Sequence, residues 1–485
     1  MDRAPNILWI CTDQQRFDTL GCHGNNFVRT PHIDALATQG TLFEKAYSQS
    51  PVCTPSRASF LTGRYPRTTR ARQNGQDIPA DERLISRILA DHGYACGLSG
   101  KLHLSACHPT AAPLMERRID DGYINFHWSH HPARHAASNN WAANEYDVWL
   151  RQRGSQYTTT PFEGSRHVQI GMPEALHQTT WCSDKAIEFM QANADYDHPW
   201  MFSVNIFDPH HAFDPPMAYL QPYLDRLDEI PLPNYVRGEL ENKPRIQTID
   251  HEGAYGGRAG FEYDQMSERD HRLVRAAYWA MCDLIDLQVG RMLAALDETS
   301  QRGNTIVIFM SDHGEMLGDH GIYLKGSYFY EEAVHVPLMM AGPGIAAGRR
   351  VGEMVELADI VPTLLDLCGI SREPGIQGRS FSAALHGEAI EGRTDIYSEY
   401  YNAMPWHPPT VNPQATMVRT DTMKMVAVHG EEDEGELYDL INDPTESHNL
   451  WFDPSYSTEK LKMYRRLCDR MAWTADPLPL RRAEF

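Results

Sequence analysis

Cys53 and Arg57, in the stretch PVCTPSRASFLTGRYP from Pro51 to Pro66, are the pair whose types and spacing could do chemistry. Pro55 suits a first helical position, because its missing N–H would go unsatisfied there anyway. Ser56 to Leu61 then reads as helix and Gly63 as its stop. Cys53 is thereby placed just before a helix N-terminus. Free N–H groups and partial positive charge gather at such an end, where they attract anions and lower a thiol's pKa. Arg57, about one turn along, points back at the same spot.

The remaining candidates follow strands. Asn6–Cys11 (NILWIC) and Asn304–Met310 (NTIVIFM) are apolar runs without alternation, the pattern of buried parallel strands. The first ends in Thr12-Asp13-Gln14-Gln15 and the second in Ser311-Asp312-His313-Gly314-Glu315. Open α/β sheets bind ligands beyond the carboxyl ends of their strands. If these two strands are neighbours, at about 4.8 Å, both carboxylates can meet on one cation. Tyr94–Leu98 leads into Gly100-Lys101-Leu102-His103, where Lys101 and His103 share a face of an extended chain. Pro199–Phe207 leads into Asp208-Pro209-His210-His211, and Lys325 precedes Tyr330-Glu331-Glu332. Asn74, in a turn-like Gln-Asn-Gly, is within reach of the same place or is a plain turn residue. Singly, each has a bland reading as a buried thiol, a turn aspartate or a surface lysine. Their joint occurrence favours one site.

Cys53-x-Pro55-x-Arg57 followed by Thr62-Gly63-Arg64 resembles the signature of the type I sulfatases, within the alkaline-phosphatase-like superfamily. The likeness extends to Gly100-Lys101-x-His103, to the Pro-His pair at His210, to Lys325 with Tyr330-Glu331-Glu332, and to Glu436–Glu446 with Asn449-Leu450. It implies that Cys53 is oxidised to formylglycine by a formylglycine-generating enzyme, and that the hydrated aldehyde is the nucleophile. It also implies catalytic roles for Arg57, Lys101, His103, Lys325 and His210, with His211 a rival for the last; Asn74 and His211 are the expected substrate contacts. Asp13, Gln14, Asp312 and His313 would hold one divalent metal. Many sulfatases carry two acidic residues at the Asp13-Gln14 position and Asp-Asn at the Asp312-His313 position. The set here also resembles phosphonate monoester hydrolases, which use formylglycine too. Calcium is the first expectation, and the imidazole makes manganese the alternative. The expected activity is hydrolysis of aryl or small-alcohol sulfate monoesters. The alternative is a phosphonate monoester or phosphodiester hydrolase using the same aldehyde. The reading from another class is a non-catalytic anion-binding protein, if Cys53 stays a thiol. A two-zinc phosphatase would need further Asp and His ligands at strand ends.

These residues need a frame. The 485 residues exceed one hydrophobic core. The resemblance implies a large, mostly parallel mixed sheet sandwiched by helices over 1–372. Over 373–485, Ile396–Tyr401, Ala415–Thr420 and Met423–Val428 read as strands of a small antiparallel sheet, and Tyr456–Ala472 as a terminal helix, making a smaller α+β domain. Glu268–Leu296 is helical by periodicity, whereas about Ser105–Thr180 and Leu232–Met266 read as long irregular loops. The first of these holds the histidine-rich HWSHHPARHAASNNW from His127, which lacks regular ligand spacing and is expected to shape the pocket mouth. A net charge of −21 argues against nucleic acid or anionic membrane as partner. A small anionic sulfate ester then needs a locally basic pocket, and homo-oligomerisation is left open. No apolar run is long enough to span a bilayer, and no secretory leader precedes Asn6. With nine irregularly spaced cysteines, the expected compartment is the cytoplasm.

Overall fold

The structure is a computed structural model and describes residues 4–108, 110–132, 143–403, 406–407, 413–430 and 434–483. Its centre is a sheet of eight strands: β1 (Asn6–Thr12), β2 (Thr41–Phe43), β3 (Ala95–Gly100), β4 (Tyr123–Trp128), β5 (Trp200–Ile206), β6 (Thr305–Ser311), β7 (Leu338–Ala341) and β8 (Arg349–Val351). Their order is β8-β2-β7-β6-β1-β5-β3-β4. Only β7 runs against its neighbours; the other pairings are parallel.

The run NILWIC needs no polar alternation because both faces of β1 are covered. Ile7, Trp9 and Cys11 enter one layer, with helices α2 (Cys53–Thr62), α3 (Ile85–Asp91) and α6 (Ile360–Leu367). Leu8 and Ile10 enter the other, with α1 (Pro31–Gln39), α4 (Gln178–Ala192) and α5 (Glu268–Glu298). The long α5 starts on a capping box, with Ser267 and Asp270 exchanging side-chain and backbone hydrogen bonds. The C-terminal part is an antiparallel sheet of β9 (Ile396–Tyr401), β10 (Gln414–Arg419), β11 (Met423–His429) and β12 (Gly435–Asp439). On one face Val418, Met425 and Leu437 pack with Met463 and Leu467 of α7 (Ser457–Trp473). On the other, Met417, Val426 and Tyr438 join the core that holds the middle of α5.

Three expectations need correction. The segment 105–180 is not wholly irregular. It contains the edge strand β4 and a helix, Glu145–Gln152, capped by Asn144. β4 was hidden because YINFHW is exposed at its centre, where an edge strand has no covering layer. The segment 232–266 is not a surface loop either. It includes the helix Arg245–Glu252 and buries Ala254, Tyr255 and Phe261 in the core, its glycines having masked that content. Finally, α2 begins at Cys53 itself, so Pro55 is its third residue. Proline is tolerated there because first-turn N–H groups have no helical partner. Gly63 does end α2, at φ +69°, donating its N–H to Ser59 O. Among the described residues no helix is long and apolar enough to cross a membrane, and all nine cysteines are free thiols.

Candidate functional site

β1 and β6 are adjacent and parallel, with Thr12 opposite Ser311. The next residue of each, Asp13 and Asp312, therefore leaves the sheet at the same edge. The Gln14 backbone, at φ +68°, turns back and donates its N–H to Asp312 Oδ1 at 3.0 Å. Tyr278 of α5 holds that turn from below: its hydroxyl donates to Gln14 O (2.6 Å) and accepts from Arg16 N–H (3.0 Å). Helix α2 arrives from the other side with all ten residues buried, and Ser56 Oγ donates to Asp312 O at 2.6 Å. One turn into α2, Arg57 Nε donates to Asp312 Oδ2 at 2.8 Å, with Nη2 3.5 Å from Asp13 Oδ2. Its Nη1 donates to Lys101 O at 2.8 Å, tying the end of β3 to the same point.

The Cys53 thiol is the centre of the cluster. Lys325 Nζ lies 2.9 Å from Sγ, His313 Nε2 3.2 Å, Lys101 Nζ 3.5 Å and Asp13 Oδ1 3.6 Å. Lys101 is also paired directly with Asp13. Lys325 Nζ donates to Gln14 Oε1 at 2.7 Å, while the Gln14 amide nitrogen donates to Glu315. Burial and Asp13 push the thiol up, yet Lys101, Lys325 and His313 outweigh them and bring it from 9.0 to about 7. Burial disfavours the Asp13 carboxylate, but Lys101, Lys325 and Arg57 hold it well below the usual carboxylate range.

The donor set fits one divalent cation. Asp13, Cys53, Asp312 and His313 are buried, and each offers one ligand atom within 4.8 Å of all the others. His313 Nδ1 lies 2.9 Å from Gly314 O, so it carries the proton and donates, leaving the Nε2 lone pair facing the centre. Burial lowers the His313 pKa, but Asp312 and Cys53 outweigh it and raise it. The field that favours a proton on Nε2 favours a cation there as well.

The structure thus brings Asp13, Gln14, Cys53, Arg57, Lys101, Asp312, His313 and Lys325 into one contact network. His103, His210, His211 and Asn74 surround it without hydrogen-bonding to those eight. His103 sits at φ +57° in a turn fastened by Glu116, whose carboxylate accepts the N–H groups of His103 (2.9 Å), Leu104 (2.9 Å) and Ser105 (3.3 Å) and Trp128 Nε1–H (2.7 Å). The His210 and His211 rings stack at 4.1 Å, and Phe207 bridges from His210 (4.6 Å) to the Lys101 ammonium (5.3 Å). Burial and then Lys325 lower the pKa of both histidines well below 6.5. Tyr255 faces His211 at 5.7 Å and Trp406 at 5.0 Å, which completes an aromatic wall. The Asn74 side chain accepts Thr54 N–H at 3.0 Å and so caps the first turn of α2. Of the four histidines in the 127–135 run, His130 meets the His103 ring at 4.4 Å and His131 meets Phe207 at 4.6 Å. His135 lies outside the described residues.

Sequence reasoning missed Glu116, Glu315 and Tyr278. Glu315 lies in the run after β6, so position alone could have flagged it. Glu116 and Tyr278 carry no local signal.

Residues 5–370 match the family description "Sulfatase", and residues 318–472 match "N-sulphoglucosamine sulphohydrolase, C-terminal". The chain is 30% identical to an arylsulfatase of Clostridium perfringens, across 96% of this chain and 93% of that protein. Its fold is similar to that of a phosphonate monoester hydrolase from Silicibacter pomeroyi (TM-score 0.81, 24% identity, 97% and 96% of the two chains). A phosphonate monoester hydrolase of Agrobacterium radiobacter is likewise similar (TM-score 0.80, 25% identity, 98% and 97%).

Proposed function

The chain belongs to the sulfatase family, and from that premise we propose that it hydrolyses sulfate monoesters through an oxidised Cys53. The observation that carries this reading is the surroundings of the thiol. Two lysines and an imidazole touch Cys53 Sγ at the head of a buried helix, and two carboxylates stand beside it. The formylglycine that the family implies supplies, as its hydrate, a nucleophilic oxygen and a second hydroxyl through which sulfate is expelled. Asp13, Gln14, Asp312 and His313 would hold the divalent metal that the family implies, and it would supply Lewis acidity there; calcium is our first choice and manganese the second.

The chain's own groups divide the remaining work. Arg57 is spent on the two carboxylates and orients them. Lys101 and Lys325 bring positive charge to the sulfuryl oxygens in a site closed to water. Burial and Lys325 lower the pKa of His210 and His211, which suits them to offering hydrogen bonds; the proton donor to the departing alcohol is Lys325 or His210, and Lys325, in contact with Cys53 Sγ, is our first choice. Burial likewise keeps His103 neutral, as a base for the second hydroxyl must be. Phe207, Tyr255 and Trp406 suit an aryl or small-alcohol leaving group.

Among the described residues, the side chains that hydrogen-bond Cys53 Sγ all precede residue 372, which supports a catalytic part over 1–372 and a supporting part over 373–485. Nine free thiols support a reducing compartment, the cytoplasm. A phosphonate monoester or phosphodiester activity is the second reading, favoured by the imidazole in the ligand set. Two measurements test the proposal. Mass spectrometry of the Cys53 peptide should show a loss of about 18 Da, and alkylation by iodoacetamide would show a thiol instead. Turnover should be fastest on aryl sulfate in a panel with phosphonate monoester and phosphodiester. Phosphodiester turnover exceeding sulfate turnover would overturn the substrate assignment.

A further inference from the structure

We propose that His103, Cys107 and His130 form a second metal site, of zinc type, beside the catalytic centre, and that a soft divalent cation bound there silences the enzyme by taking up His103. One donor atom from each residue lies within 4.8 Å of the other two. None of the three belongs to the Asp13–Cys53–Asp312–His313 set. Two imidazoles and a thiol are a softer set than the carboxylate-rich centre, and they select zinc over calcium.

The site is built the way the first one is. β3 and β4 are neighbouring parallel strands with Gly100 opposite Trp128, and Ser129 N–H donates to Gly100 O at 3.0 Å just beyond them. His103 follows β3 and His130 follows β4, so two adjacent strands again deliver ligands at their carboxyl ends. Glu116 fixes the His103 turn through three backbone N–H groups. His103 is 6% exposed, and its Nδ1 is buried without a hydrogen-bond partner among the described residues. A buried imidazole nitrogen left so is costly to desolvate, and a metal ion satisfies it. Cys107 is half-buried, and among the described residues the only hydrogen-bond acceptor it touches is Ser105 O, at 3.3 Å, so it turns toward a cation without breaking the core.

Binding converts the Cys107 thiol to a thiolate and releases one proton to solvent, so affinity rises with pH. Three protein ligands leave a fourth position open. His103, once ligated, no longer has a lone pair for the second hydroxyl. That last step rests on the sulfatase reading; metal binding itself does not.

The binding test is a cobalt titration of Cys53→Ala protein, which lacks the thiol of the catalytic centre. A thiolate-to-cobalt absorption band should appear, and it should vanish in Cys53→Ala/Cys107→Ser. Absence of the band, or its survival without Cys107, overturns the site. The activity test uses zinc chloride alone on matured enzyme supplied with its catalytic cation. Zinc should lower kcat at least about tenfold, and Cys107→Ser should keep basal turnover within about twofold and resist zinc by a similar factor. Equal inhibition of the two proteins, or none in wild type, overturns the regulatory role. Should Cys107→Ser fail to fold, His130→Gln is the second variant and is read by cobalt affinity alone: at least about tenfold weaker binding is expected, and unchanged binding overturns the site. Because cobalt reports the site without turnover, failure of the site and failure of the sulfatase reading are told apart.

Discussion

Replacing Lys325 and Lys101 in turn by methionine separates the charge proposed for the departing alcohol from the one that also neutralises a buried carboxylate. Both ammonium groups touch Cys53 Sγ, but their other partners differ. Lys101 is paired with the buried Asp13 carboxylate, whereas Lys325 donates to the neutral Gln14 amide oxygen at 2.7 Å. Removing Lys101 strands a buried charge, which costs about 3–5 kcal/mol, offset in part by Arg57 at 3.5 Å and by any bound cation. Removing Lys325 leaves one amide oxygen short of a donor, about 1–3 kcal/mol. At the transition state the ranking reverses. An ammonium about 3 Å from a developing oxyanion is worth about 5 kcal/mol at an effective dielectric of about 20. Losing one such donor lowers kcat by about 10²–10³. Lys325→Met should therefore be the more stable and the more crippled variant, and Lys101→Met the less stable, with its deficit in unfolding midpoint narrowing when metal is added. The assay is thermal unfolding with and without the cation, together with kcat over aryl sulfates of graded leaving ability. The Lys325→Met deficit should shrink as the leaving group improves, since a good one needs little protonation. A deficit that stays constant along the series, or a Lys325→Met protein less stable than Lys101→Met, would refute the division of labour.

Four further outcomes are expected. Cys53→Ala should fold and lose turnover, as circular dichroism and a sulfate-release assay would read; comparable kcat would remove the residue from the chemistry. Asp312→Asn should weaken metal binding at least about tenfold and leave Arg57 without its closest carboxylate, checked by metal analysis after dialysis. Glu116→Ala should free four buried N–H groups, destabilise the chain by at least about 3 kcal/mol and lower kcat by displacing His103, while Glu116→Gln keeps an acceptor oxygen and recovers much of both. Asp214, which accepts the Tyr157 hydroxyl, is lifted by burial to about 8. The folded chain then holds a proton that the unfolded chain, titrating near about 4, has lost, so this residue makes stability fall as pH rises from about 4 to about 8. Asp214→Asn should flatten the unfolding midpoint over that window.

What was legible in the chain was whatever physics writes locally. Unbroken apolar runs announced β1 and β6, and the residues just past their ends announced the two carboxylates, because one short turn links strand to site. The Cys53–Arg57 spacing announced the head of α2. What escaped depends on contacts between distant segments. Glu116 reaches the His103 turn from thirteen residues away as a lone carboxylate in an irregular stretch. Tyr278 reaches Gln14 from the middle of a long helix, where its neighbours look like any other core residues. The role of Arg57 was half legible: its direction followed from helix geometry, but its two carboxylate partners follow only from which strands are neighbours. β4 and the Arg245–Glu252 helix were hidden by histidines and glycines, whose local signal is that of a loop.

The enclosure of Cys53 also sets an order in time. The residue is about 1% exposed, on a helix with no exposed member. An enzyme that must take the Cys53 side chain into its own active site has no access to it once α2 has docked against the sheet. On the oxidation proposed for Cys53, that enzyme and folding compete for one nascent chain: a chain that folds first keeps its thiol until it unfolds, and a chain that is modified first folds around an aldehyde. The yield of active protein from a cell is thus decided by relative rates during synthesis, and slowing translation or refolding the purified thiol form in the presence of the modifying enzyme should change it without altering a single residue.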